Sequence, residues 1–107
     1  MLTVHKAYFA LTQIRRCTEL MLYPITIEIG VKIKPQNRGI KTMTEMLNRH
    51  DLMDAKILKS LAIIRELTNP RAHDIEDNLE DFLTAFRAFA QVTEWYVQRT
   101  TVKEESE

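Results

Sequence analysis

Two glycines, three prolines and a single cysteine are all that 107 residues contain of turn-forming and sulfur chemistry. So few chain-breaking residues favour a small number of long helices over many short elements. One cysteine, Cys17, excludes a disulfide scaffold and a cysteine-ligated zinc site. His5, His50 and His73 are too scattered to suggest converging metal ligands, and there is no glycine-rich phosphate loop. No metal or other cofactor is therefore expected. No apolar run approaches the roughly 18 residues of a membrane span. The opening residues, Met-Leu-Thr-Val-His-Lys, lack the apolar stretch and small-residue cleavage site of a secretory signal. The expectation is a reduced, cytoplasmic protein with no membrane partner.

What is present fits an ordinary folded domain, with 45% hydrophobic and 28% charged residues. The length allows one domain, expected over 1–102, with a polar tail at 103–107 that should fray. Fifteen basic and fifteen acidic residues cancel overall. They do not cancel locally. Residues 1–73 hold 12 Lys+Arg and 6 Asp+Glu, a balance of +6, and 74–107 hold 3 and 9, a balance of −6. The asymmetry fits either self-association or a basic face for a polyanion, beside the simpler reading of solvated helix faces.

Helical periodicity organises most of the chain. Val4, Ala7, Leu11, Ile14, Cys17 and Met21 recur every three or four residues and predict a helix over about 2–23, with Cys17 as a small buried hydrophobe. Residues 25–33 are ambiguous, because Ile25, Ile27, Ile29, Val31 and Ile33 alternate with polar residues as a strand would. A lone strand has no partner here, so this segment reads either as a short β arm at 25–33 or as the second half of a first helix kinked at Pro24 and ending at Gly30. A loop over 34–39 follows. Thr42 and Glu45 suggest a capping box for a helix over about 42–49, with Ile40, Met43, Met46, Leu47 and His50 inward. Asp51 is then expected to cap a helix over 52–68 that turns Ile57, Leu58, Leu61, Ile64 and Leu67 inward and stops at Asn69-Pro70. A last helix after Asp74 carries the stripe Ile75, Leu79, Phe82, Phe86, Phe89, Thr93 and Tyr96. That stripe would leave Ala88 and Trp95 facing solvent, with Trp95 a candidate interface residue. The fold class is all-α, an up-and-down helical bundle of four to five helices.

Chemistry concentrates in one segment, Ile64-Arg65-Glu66-Leu67-Thr68-Asn69-Pro70-Arg71-Ala72-His73-Asp74. An imidazole such as His73 can take a proton from a ribose hydroxyl. The guanidinium groups of Arg65 and Arg71 can hold a phosphate, and Asn69 can position it. Lys32, Lys34, Arg38 and Lys41 form a separate basic strip around the 34–39 loop that could contact nucleic acid in a salt-dependent way.

The run Ile-Arg-Glu-Leu-Thr-Asn-Pro-Arg-Ala-His resembles the signature of the HEPN superfamily. Arg15-Arg16-Cys17-Thr18-Glu19 is similar to the Arg…Glu pair in the first helix of its restriction- and defence-associated branch, a domain of unknown function. The stretch from Ile40 to Asp54 looks like that branch's leucine-rich helix and turn before the signature helix. The mannitol operon repressor family has a similar layout. The resemblance covers about residues 10–97. It implies an α-helical bundle that dimerises through its signature region, and in catalytic members a metal-independent endoribonuclease. His73 matches the catalytic histidine and Asn69 the polar residue after the arginine. The arginine itself falls on Thr68, which carries no charge, while Arg65 and Arg71 lie outside the usual spacing.

Three functions follow as expectations. The first is a HEPN-like module of a defence or regulatory system, toxin–antitoxin systems included, with a degenerate catalytic motif. It would act as a homodimer, on RNA or on a partner protein. The second is a HEPN-type endoribonuclease using His73. The third is a helical transcriptional co-regulator, although no helix-turn-helix with a basic recognition helix is present.

Overall fold

The computed structural model describes the backbone of residues 2–69 and 79–106, with side chains described over 9–69 and 79–101. The order is α1 (Leu2–Glu28), a single 3-10 turn (Pro35–Asn37), α2 (Ile40–Arg49), α3 (Ala55–Leu67) and α4 (Leu79–Ser106). There is no strand among the described residues. The architecture is an all-helical bundle in which α4 packs on α1 and α3, and α2 packs on α1 and α3. At 1.5 Å per residue α1 and α4 are each about 40 Å long, while α2 and α3 are about 15 and 20 Å. The molecule measures 49 × 28 × 21 Å, and its radius of gyration of 14.6 Å exceeds the roughly 13 Å of a fully compact domain of this length. Two long helices overhang two short ones.

Of the two readings of 25–33 the helical one holds and the β arm does not form: α1 continues to Glu28, with Pro24 inside it. Proline removes one hydrogen bond from the ladder, the one that the carbonyl of Leu20 would accept. Pro24 and Leu20 both lie exposed, where water can take over that carbonyl. Burial of Leu22, Ile25 and Thr26 on the other side holds the helix through the break. Its end has a local cause in Gly30, at φ +80°. Gly30 donates its amide to the Ile27 carbonyl at 3.0 Å, and Val31 donates to the Thr26 carbonyl at 2.9 Å. These are the paired bonds of a Schellman stop, which needs the left-handed conformation that glycine adopts freely.

The next two helices start at other residues than the motifs suggested. α2 begins at Ile40, with Gly39 as an N-cap that offers no side chain, so the Thr42–Glu45 box does not form at a helix start. His50, expected inward, is an exposed C-cap residue. α3 is capped by Asp54, whose Oδ1 accepts the Ile57 amide at 2.9 Å. Asp51 instead takes a left-handed turn position at φ 56°, a conformation that aspartate tolerates better than most residues.

The core gathers Leu11, Ile14, Leu22 and Ile25 of α1, Ile40, Met43 and Leu47 of α2, Ile57, Leu61 and Ile64 of α3, and Ala85, Ala88 and Val92 of α4. Two faces differ from the periodicity reading. In α1 the buried line runs through Thr18 to Leu22, one residue after the expected Cys17 and Met21, and Cys17 is exposed. In α4 the buried residues are Ala85, Ala88 and Val92, and Trp95 sits half-buried against the core. The helix is turned about 100° from the expected stripe, one residue's rotation. Leu79 and Phe86, expected inward, are 59% and 50% exposed, while Phe82, Phe89 and Tyr96 of the same stripe remain half-buried against the core.

The physical reason is close packing. Alanines at 85 and 88 let α4 approach its neighbours with little between the backbones, and dense packing can favour that approach over burying a larger ring. The α1 shift has a related cause. Thr18 is fully buried because its hydroxyl donates to the Ile14 carbonyl at 2.8 Å, one turn back. A satisfied hydroxyl loses most of its burial cost. Thr26 and Thr68 make the same kind of bond, to the carbonyls of Tyr23 and Ile64, both at 2.6 Å. Ser60 reaches across to α4 instead, donating to Gln91 Oε1 at 2.7 Å.

Candidate functional site

The candidate site begins at the C-terminal end of α3, where the signature segment starts. Arg65 stands exposed on the last turn of α3. Thr68, the C-cap, is 5% exposed, and its hydroxyl is spent on the Ile64 carbonyl. Asn69 is half-buried and takes part in an interaction of its own. Arg71 and His73 lie outside the described residues.

The arrangement of Thr68 bears directly on chemistry. Thr68, where the resemblance would place an arginine, points into the bundle. A guanidinium there would be buried among Ile64 and its neighbours, at a desolvation cost that such a charge meets only with a partner. Thr68 instead seals the helix end.

Arg65 is joined by a residue from the predicted basic strip. A shallow depression between α2 and α3 is lined by Ile40, Lys41, Thr44 and Glu45 on one side and by Leu58, Leu61, Ala62 and Arg65 on the other, with a volume of about 140 Å³. Lys41 and Arg65 thus flank one apolar-floored hollow, and Glu45 offsets part of their charge. Apolar burial of Ile40 and Leu61 fixes the two helices side by side, which sets both cations at the rim.

The rest of the strip divides. Lys32 and Lys34 are exposed along the 29–34 connection. Arg38 is committed elsewhere, its guanidinium carbon 4.2 Å above the centre of the Tyr23 ring. Such stacking is worth about 1 kcal/mol and holds the loop against α1. Lys32 and Arg38 line a second hollow, of about 370 Å³, together with Tyr23, Ile27, Gly30, Val31 and Ile33. Lys32, Lys34 and Lys41 remain as solvent-facing cations, and Arg38 serves the fold.

The Arg…Glu pair of α1 is formed. Arg15 Nε and Glu19 Oε1 are 3.4 Å apart, one helical turn from each other. Burial pushes the Glu19 carboxyl above its ordinary value, and the neighbouring Arg15 and, more weakly, Arg16 oppose that shift. A pair this exposed contributes little to stability. Among the described residues no group of three or more His, Cys, Asp or Glu could hold a metal ion, and no helix is long and apolar enough to cross a membrane.

Sequence reasoning missed one feature, an apolar ridge on the outer side of α4 formed by Leu79, Leu83, Phe86 and Val97. The small residues at 85, 88 and 92, spaced three and four apart, were the available signal that this helix had a second, tighter seam. Compared with known proteins, the chain matches no family model, no curated protein and no solved structure.

Proposed function

We propose that this chain is a HEPN-like helical module of a defence or regulatory system, one that self-associates and contacts RNA without cleaving it. The observation that carries this reading is Thr68. At the position where the resemblance calls for a phosphate-holding arginine, the side chain is buried and bonded to its own backbone. A metal-independent ribonuclease needs a cation to stabilise charge on the scissile phosphate. A buried hydroxyl supplies none. The exposed Lys41 and Arg65 beside one hollow, and Lys32 and Lys34 further along, offer positive charge for backbone phosphates.

The test is binding and cleavage of a mixed-sequence RNA in the presence of a chelator. Binding should weaken steeply with salt, and the triple variant Lys32→Glu, Lys34→Glu, Lys41→Glu should lose most of it. The RNA should stay intact with the wild type and with His73→Ala alike. Cleavage by the wild type that His73→Ala abolishes would replace this reading with the endoribonuclease. Salt-insensitive binding, or none at all, would remove RNA from it.

A further inference from the structure

We propose that the outer face of α4 is a homodimer seam on which two copies of this chain pair antiparallel, with Arg87 of each copy against Glu94 of the other. This deepens the self-association in the reading above but rests on a different surface from the signature segment and on different observations.

The first observation is spacing. Leu79, Leu83, Phe86, Ala90, Thr93 and Val97 follow one another at intervals of four, three, four, three and four. That is the heptad pattern of a helix packed lengthwise on another helix. The bundle does not use this line. Its own seam on α4 runs through Ala85, Ala88, Val92 and Trp95, on nearly the opposite side. Leu79, Leu83, Phe86 and Val97 are between 41% and 59% exposed. Among the described residues, α4 therefore carries two apolar lines, and only the inner one is covered. Among the described residues of α1, Phe9, Leu20 and Ile27 are exposed on one side at spacings of eleven and seven, too sparse for a continuous apolar line.

The second observation is charge. Glu80, Arg87 and Glu94 flank the ridge on one side at seven-residue intervals. In an antiparallel pair, residues at this flank meet their own kind across the two-fold axis. A register that sets Phe86 beside Val97 of the other copy also sets Arg87 beside Glu94, twice. It leaves Ala90 and Thr93 at the axis, the smallest residues of the ridge, where the backbones come closest. A parallel pair would put Arg87 opposite the flank that holds Phe82, Phe89 and Tyr96, with no charge to meet. In this register the stretch from Phe86 to Val97 is complementary to itself, Leu83 lies against Thr100, and a chain with zero formal charge brings no bulk repulsion between copies. The self-paired stretch from Phe86 to Val97 spans about 17 Å, under two heptads, so the dimer should be weak and its formation should depend on concentration.

The experiment is the mass of the full 107-residue chain in solution by light scattering, from about 5 to 500 µM. Mass should rise with concentration from 12.6 kDa toward twice that value. Phe86→Glu and Leu83→Glu should each weaken association at least tenfold with unchanged helical circular dichroism, because both side chains stand outside the core. Arg87→Glu and Glu94→Arg should each weaken it several-fold, and the double exchange should restore it. A monomer at every concentration overturns the proposal together with the self-association part of the reading above. A dimer that Phe86→Glu and Leu83→Glu leave intact overturns the α4 seam alone and leaves that reading standing. A double exchange that fails to restore association overturns the antiparallel register.

Discussion

α3 and α4 pack side by side, yet they are built on different plans. α3 has one apolar face, formed by Ile57, Leu61 and Ile64, and its other side shows Lys56, Lys59, Ala62, Arg65 and Glu66 to solvent. Asp54 fixes its start, and Thr68 closes its end. α4 has its fully buried line in Ala85, Ala88 and Val92, flanked by half-buried Phe82, Phe89, Trp95 and Tyr96, and it leaves Leu79, Leu83, Phe86 and Val97 exposed on another side. The difference teaches that side-chain size does not decide which face is buried. α3 fills space with Leu and Ile because it lies among three other helices. α4 uses alanine at its most buried positions, and among the described residues no element covers its outer side.

Truncations on the two helices should separate these plans most sharply. Leu61→Ala, at a fully buried position of α3, should cost about 3 kcal/mol in denaturant unfolding. Phe86→Ala, a larger deletion at a half-exposed ring that pairs with Phe82 at 5.9 Å, should cost only about 1 kcal/mol in dilute protein. Comparable losses at both sites would break the comparison. Next in size, Ala85→Leu should destabilise by about 2 kcal/mol, since a fully buried alanine at a close approach has no room for three more carbons. If it were neutral, the inner seam of α4 would be looser than the burial of Ala85 implies.

Smaller effects distinguish the two candidate caps of α3. Asp54→Ala should cost about 1 kcal/mol through loss of the bond to the Ile57 amide. Asp51→Gly should be neutral or stabilising by a few tenths of a kcal/mol, because glycine adopts positive φ without strain. Equal losses would return the cap to Asp51.

The smallest effect is a pH dependence at Glu19. Burial raises its carboxyl above 4.5, so the folded protein binds that proton more tightly than the unfolded chain. The stability this adds is complete below the unfolded value and is lost as pH rises through the folded one. Wild type should therefore lose a little stability relative to Glu19→Gln between about pH 4 and 7, and urea midpoints measured across that range would reveal it. A difference independent of pH would show that Arg15 cancels the burial.

Much of the fold was legible in the chain. The number of helices, the inward faces of α2 and α3, and the stop at Gly30 follow from periodicity and from scarce glycine. What stayed hidden has two physical causes. Hydroxyls at Thr18, Thr26, Ser60 and Thr68 hydrogen-bond to nearby carbonyls or across to Gln91, so they enter the core although they count as polar in a hydropathy pattern. Alternating isoleucines at 25–29 look like a strand, because β-branched residues prefer strands, and only burial against other elements overrides that local preference. Of the candidate site, the cations of the 32–41 strip were identifiable by charge, but that Lys41 would share a hollow with Arg65 while Arg38 stacked on Tyr23 depended on contacts between elements.

Local chemistry in the sequence determined that this is a chain of a few long helices, where they stop, and that Arg65, Asn69, Arg71 and His73 fall within nine residues of one another. Those properties reside in neighbours three or four residues apart, which a linear reading can see. The tertiary structure decided which way each helix faces. Rotation about a helix axis is set by how closely its backbone can approach a neighbour, a quantity shared between elements and written in neither one alone. That rotation buried Thr68 where an arginine was sought, drew Trp95 against the core, and left Phe86 on the outside.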